Sequence, residues 1–281
     1  MKDPVLRRVH RGPKNNHAII IVPGMWTSED GCGEEWIDAI FESGFEGNVY
    51  DFVWDSSSAT VDLTRVLLAG DSLGGFGGAL ASPESMLMFA AGPIGLGVSM
   101  LAGAALGNSL FRAPSISGVG GSLMTALSLW KRLKKNAKRA GAAHLPGVIE
   151  SQIREKRVTL VGHSLGARVC YYAVDAGARV NRLITMGGAI PGDGTKDWER
   201  IARRLPGGLR NVRNEEDAVL KQLYRLAELD RDPIGLKPIP HQHRRITEYN
   251  MTRTMRLEGS TGFQTSHSDY FRSFAHHKLL G

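Results

Sequence analysis

The stretch Val158-Thr-Leu-Val-Gly-His-Ser-Leu-Gly-Ala-Arg-Val-Cys170 limits the folds open to this chain more than any other. Val158 to Val161 are apolar or β-branched and read as a short buried strand. Gly162-His163-Ser164-Leu165-Gly166 follows, and then Ala167, Val169, Tyr172, Ala173 and Val174 recur at helical spacing. A strand passing into a helix through G-x-S-x-G puts a serine at the tip of a very tight turn. The backbone there is strained, and neighbours crowd positions 162 and 166 too closely for a Cβ. The helix N-terminus behind the serine aims free N–H groups and a partial positive charge at the same point. A tight turn without chemistry is the plainer reading of the pentapeptide alone; the flanking strand and helix favour Ser164 as a nucleophile.

The rest of the chain supplies a frame for such a turn. His17-Ala-Ile-Ile-Ile-Val22 is a β-branched, buried strand that runs into Pro23-Gly24-Met25-Trp26. A turn at that place is where half of an oxyanion hole is expected, with the backbone N–H of Met25 (Trp26 the alternative) facing that of Leu165. Residues 34–45 have a helical apolar stripe of Trp36, Ile37, Ile40 and Phe41, and residues 47–54 a strand pattern. Further strands are expected at 182–186, 208–213 and 246–251, with helices at 195–204, 218–229 and 270–277 and a Gly/Ser/Thr loop at 259–267. Residues 1–16 are polar and basic and read as an arm or a first edge element. This β-α-β alternation predicts one α/β domain over 1–281, a mostly parallel sheet with helices on both faces in the manner of an α/β-hydrolase fold.

Residues 70–112 stand apart as an apolar, Gly- and Ala-rich helical insertion ahead of the elbow. No charged residue occurs from Ser85 to Phe111, and about 20 apolar residues suffice to span a bilayer. Pro93 and the glycines favour two short helices, so three readings stay open: a membrane span, a hairpin dipping into one leaflet, or a buried lid beside the site. Leu123 to Ala140 follows as an amphipathic basic helix, with Leu127, Trp130, Leu133 and Ala137 on its apolar stripe. A formal charge of +7 favours anionic partners. Nucleic acid is the weaker candidate, because aromatics do not interleave with the basic residues; an anionic membrane surface fits the basic helix, as does plain solvation. Cys32 and Cys170 form no disulfide framework or zinc spacing, so no metal or cofactor is expected and a reducing cytoplasmic compartment is compatible. The apolar run Ala18–Val22 is too short for a signal peptide, leaving export by a signal-less route open.

A serine hydroxyl needs a base, and the base a carboxylate; in this fold they follow in the order Ser, Asp or Glu, His. Of the nine histidines, His267 lies beyond the last strand, where the base is expected, while His163 is the serine's neighbour and is expected to point elsewhere. Asp217, after the penultimate strand, is the first candidate for the acid and Asp193 the second; both also suit a helix N-cap.

Three segments carry a resemblance. Val161-Gly-His-Ser-Leu-Gly-Ala-Arg-Val169, Asn211-Val-Arg-Asn-Glu-Glu-Asp-Ala-Val-Leu-Lys-Gln-Leu-Tyr-Arg225 and Ser266-His-Ser-Asp-Tyr270 resemble the poorly characterised α/β-hydrolase family that includes the transmembrane and coiled-coil domain protein four. The likeness extends over most of the chain from His17 onward, apolar insertion included, and implies Asp217 and His267 as partners of Ser164. Two positions depart from the family pattern: Ala218 replaces an aromatic residue and Ser266 a glycine. The expectation is a serine hydrolase of an apolar acyl ester, a lipid or phospholipid among the candidates. An acyltransferase with the same residues and a membrane-binding or membrane-disrupting protein on an inactive scaffold are the alternatives.

Overall fold

A computed structural model describes residues 3–14, 16–24, 33–56, 116–228, 231–240, 243–262 and 265–280. The insertion expected at 70–112, its charge-free run 85–111, Cys32 and the oxyanion candidate Met25 lie outside the described residues. In chain order the elements are β1 (Val5–His10), β2 (His17–Val22), α1 (Glu34–Glu42), β3 (Asn48–Val53), α2 (Ile116–Arg139), α3 (Leu145–Gln152), β4 (Arg157–His163), α4 (Leu165–Asp175), β5 (Arg182–Met186), α5 (Trp198–Arg204), β6 (Leu209–Arg213) and β7 (Ile246–Asn250), with short helical turns between and after them. They build a seven-stranded sheet in the order β1-β3-β2-β4-β5-β6-β7.

β2 and β4 sit side by side in parallel, Ile20 opposite Leu160 and Val22 opposite Gly162. Both are buried on both faces, which is why they read as near-continuous apolar runs. The period of two then divides them between two cores. Ala18, Ile20, Val22 and Leu160 pack with α2 and α4 on one face; Ile19, Ile21 and Val161 pack with α1 and the C-terminal turns on the other. The basic N-terminal segment is an edge strand: β1 pairs antiparallel with β3, the one departure from parallel pairing, and carries Arg7 and Arg8 on its exposed edge. Charged side chains on an edge discourage pairing with another chain. An α/β fold with a mostly parallel sheet and helices on both faces is therefore what the chain adopts.

Several boundaries differ from the sequence expectation. The basic helix is already formed at Ile116, ahead of the expected Leu123, and passes at its far end into a π-helical turn, Ala140–His144. Gly141 there packs so tightly against α4 that a Cβ would lie 2.2 Å from the Val169 carbonyl oxygen. Helix α5 begins at Trp198, because the Asp197 side chain accepts from the Arg200 N–H and caps it. Residues 218–227 are helical throughout, close to the helix expected over 218–229, with a π-helical turn, Leu220–Tyr224, inside the run and an α turn, Arg225–Ala227, at its end. The expected loop 259–267 ends in a helical turn, Thr265–Ser268, so His267 is helical; Asp269–Arg272 is 3₁₀ and Ser273–His276 α-helical.

Candidate active site

β4 ends at His163 and α4 begins at Leu165, leaving Ser164 alone to turn the chain. Its φ of 53° and ψ of −122° make it the one non-glycine residue with positive φ among those described. Such a conformation is strained for an L-residue and persists only where packing over-determines it. Here a Cβ at position 162 would lie 2.6 Å from the Ala167 Cα, and one at 166 would lie 1.9 Å from the carbonyl oxygen of Val22 at the end of β2. Gly166 thus answers to the neighbouring strand as well as to its own turn. The main chain of Ser164 is held on both sides: its N–H donates to Met186 O (2.9 Å) and its carbonyl accepts from the Ala189 N–H (3.0 Å).

The structure brings Ser164, His267 and Asp217 into one chain of hydrogen bonds. Ser164 Oγ lies 2.8 Å from His267 Nε2, and His267 Nδ1 lies 2.6 Å from Asp217 Oδ2. Because the carboxylate oxygen accepts, Nδ1 carries the imidazole proton and Nε2 is left to accept from the serine hydroxyl. All three side chains are buried, Asp217 completely and Ser164 the most accessible at 7%. Asp217 is supported from two further directions: its Oδ1 accepts from the Leu220 N–H (2.9 Å) and its Oδ2 from the Tyr270 hydroxyl (3.1 Å). Burial, with the Asp217 charge second, pushes the Tyr270 phenol well above its ordinary value, so it stays a donor. Leu165 N–H opens the first turn of α4, where backbone donors have no intrahelical acceptor. Asp193 lies elsewhere: its carboxylate accepts from the Thr195 hydroxyl and N–H and pairs with Arg231.

His163 corrects the sequence reading. Its ring turns toward the site: Nε2–H donates to the His267 carbonyl oxygen at 2.7 Å, and the two ring centroids are 4.9 Å apart. Trp36 and Tyr270 close on it at 5.4 and 5.9 Å. Burial, reinforced by the neighbouring His267, lowers its pKa to about 3, so it is a neutral donor at physiological pH. A donor to a main-chain carbonyl leaves no trace in sequence spacing, and only the fold supplies its partner.

Ala218 and Ser266 meet in space. The Ala218 N–H donates to Ser266 Oγ (3.2 Å), and Asn214 Nδ2 donates to the Ser266 carbonyl (3.1 Å). Ser266 therefore ties the segment bearing Asp217 to the turn bearing His267. Arg168 does similar work behind the serine. It is buried at 5% exposure, and its Nε and Nη2 both donate to Ala189 O (3.1 and 3.0 Å), the residue whose N–H holds the Ser164 carbonyl. Its Nη2 also meets Glu228 Oε1 at 3.1 Å, where Trp130 Nε1 and Lys134 Nζ of α2 converge on the same carboxylate.

The sheet order, the β4–α4 turn at Ser164 and the helices on both faces define an α/β-hydrolase fold. A family model described as "Protein of unknown function (DUF726)" matches residues 127–272, and the chain belongs to that family. Among solved structures it is similar to a lipase-esterase related protein from Clostridium acetobutylicum, at 14% identity over 71% of this chain and 54% of that one with a TM-score of 0.27. The chain thus spans about half the length of that protein. It is also similar to a dienelactone hydrolase-like promiscuous phosphotriesterase from metagenomic libraries (12%, all of both chains, TM-score 0.33). An esterase from Pyrococcus furiosus is a third (11%, 92% of this chain and 83% of that one, TM-score 0.34).

Proposed function

We propose that the protein is a serine hydrolase that cleaves a carboxylic ester through an acyl-enzyme. The observation that carries this reading is the continuous relay from Asp217 through His267 to the Ser164 hydroxyl, at a residue held in strained backbone on a helix N-terminus. In this reading Ser164 Oγ attacks the carbonyl carbon while His267 Nε2 takes the hydroxyl proton. The Leu165 N–H donates to the developing oxyanion, a contribution on the order of 3 kcal/mol for one such donor. The tetrahedral species collapses, the ester C–O bond breaks, and the alcohol leaves with the proton from Nε2. Water then attacks the acyl-enzyme, gives its proton to Nε2, and the released serine recovers it. Asp217 holds the Nδ1–H tautomer and stabilises the imidazolium that forms twice per cycle.

The resemblance of the Ser164, Asp217 and His267 segments to the family of transmembrane and coiled-coil domain protein four supports the same assignment of roles. The charge-free run 85–111 supports an apolar acyl group, a lipid or phospholipid ester, as the substrate. Labelling with a fluorophosphonate tests the reaction class: wild type should label and Ser164→Ala should not. Labelling that survives this substitution, or a wild type inert both to the probe and to a panel of short- and long-chain esters, would remove the proposal.

A further inference from the structure

Helix α2 has two unlike faces over its second half. Leu129, Trp130, Leu133, Asn136 and Ala137 are turned inward. Between Ser128 and Arg139 every exposed residue other than Ser128 is a cation: Lys131, Arg132, Lys135, Lys138 and Arg139. The helix contains no Asp or Glu at all. Lys131, Lys135 and Arg139 follow one another at i, i+4, one above the next over about 12 Å, neighbours about 6 Å apart and so within the ~8 Å Debye length at physiological salt. Like charges at that spacing destabilise a helix, and among the described residues none of these three is paired with a carboxylate. Lys134, on the flank, is the exception, drawn down to Glu228 at 2.9 Å. Lys138 stands 5.6 Å over the Tyr172 ring, which Lys196 of the next layer also covers at 4.9 Å, so the positive field extends beyond the helix.

The chemistry of this face selects among anions. No aromatic side chain is exposed along Ser128–Arg139, so bases would find no ring to stack on. A smooth row of flexible ammonium and guanidinium groups matches a plane of phosphate headgroups. The helix is also the next element after the charge-free sequence 85–111. Its anchors lie at the carboxyl edge of the sheet. Asn136 donates to Asp55 O just beyond β3, and Trp130 and Lys134 meet Glu228 beside Arg168, one turn below Ser164.

We propose that the Lys131–Lys135–Arg139 face of α2, flanked by Arg132 and Lys138, docks the protein on an anionic phospholipid bilayer. The docking is a property of this surface and does not depend on turnover at Ser164. The test is co-sedimentation of the full chain with vesicles of phosphatidylcholine alone and of equal parts phosphatidylcholine and phosphatidylglycerol. Binding should be confined to the anionic vesicles and weaken as salt rises. One basic residue at such a surface changes partitioning about fivefold, so Lys131→Gln/Lys135→Gln/Arg139→Gln should lower it roughly 100-fold. The three sites are exposed and the substitutions relieve like-charge repulsion along the helix, so the melting temperature should not fall. Absent binding, equal binding to the two vesicle types, or a triple variant that binds like wild type overturns the proposal. So does an RNA duplex that binds this face more tightly than the anionic vesicles do.

Discussion

Replacing Arg168 by Met removes a guanidinium that ties the serine turn to α2. Two of its donors end on the buried Ala189 carbonyl and one of them also reaches Glu228. Leaving that carbonyl without its donor costs about 1–3 kcal/mol, and the charged bond to Glu228 contributes about 1.5–3 kcal/mol. The sum, roughly 2.5–6 kcal/mol, brackets the ~3–5 kcal/mol that breaking a buried pair costs. Glu228 is not left alone, because Lys134 and Trp130 still donate to it. Arg168→Met is therefore expected to be less damaging than the same break would be without α2, and Glu228→Gln, which strands the Arg168 charge, comparably damaging. Urea unfolding of both single variants and the double variant gives the coupling, expected at 1 kcal/mol or more on the ~0.5–3 kcal/mol scale of contacting pairs. Additivity within about 0.5 kcal/mol would refute the account of these residues as one unit. The pH dependence has a definite sign. Burial alone would raise the Glu228 carboxyl, but the Lys134 bond and the Arg168 charge outweigh it and hold it below its ordinary 4.5. A depressed folded value means the contribution is complete above about 4.5 and is lost as pH falls through the folded value. The gap between wild type and Glu228→Gln should hold from neutral pH to about 4.5 and narrow below it.

Two further outcomes follow from the site. Asp217→Asn should leave the fold intact and reduce the fluorophosphonate labelling rate by about 10⁴-fold through the wrong His267 tautomer, whereas Tyr270→Phe, which removes one of the donors to that carboxylate, should cost far less; equal effects would contradict the relay. His163 has its pKa lowered to about 3 in the folded chain against 6.5 unfolded, so the unfolded state takes up a proton the folded state refuses, and stability falls with acidification by at most about 1.4 kcal/mol per pH unit. His163→Gln should flatten the stability profile between pH 6.5 and about 3 relative to wild type; an unchanged profile by thermal unfolding would show that the ring is not held neutral.

The sequence alone determined the parts whose signal is local. G-H-S-L-G between a β-branched run and a helical stripe fixes a sharp strand-to-helix turn, because few residues besides glycine permit it. The continuous apolar run of β2 marks a central strand, because a strand buried on both faces has no polar side to show. Only the tertiary structure decided the rest. Gly166 is required by a carbonyl on β2, a strand more than a hundred residues away in sequence, and the burial of Arg168 comes from Ala189 and Glu228, which only the fold brings to it. His163 faces the site because its acceptor is a main-chain oxygen, which every residue carries and no pattern marks. Helix periodicity separated the apolar from the basic side of α2, but the fold fixed which cations stay exposed and which one, Lys134, is drawn into a buried pair.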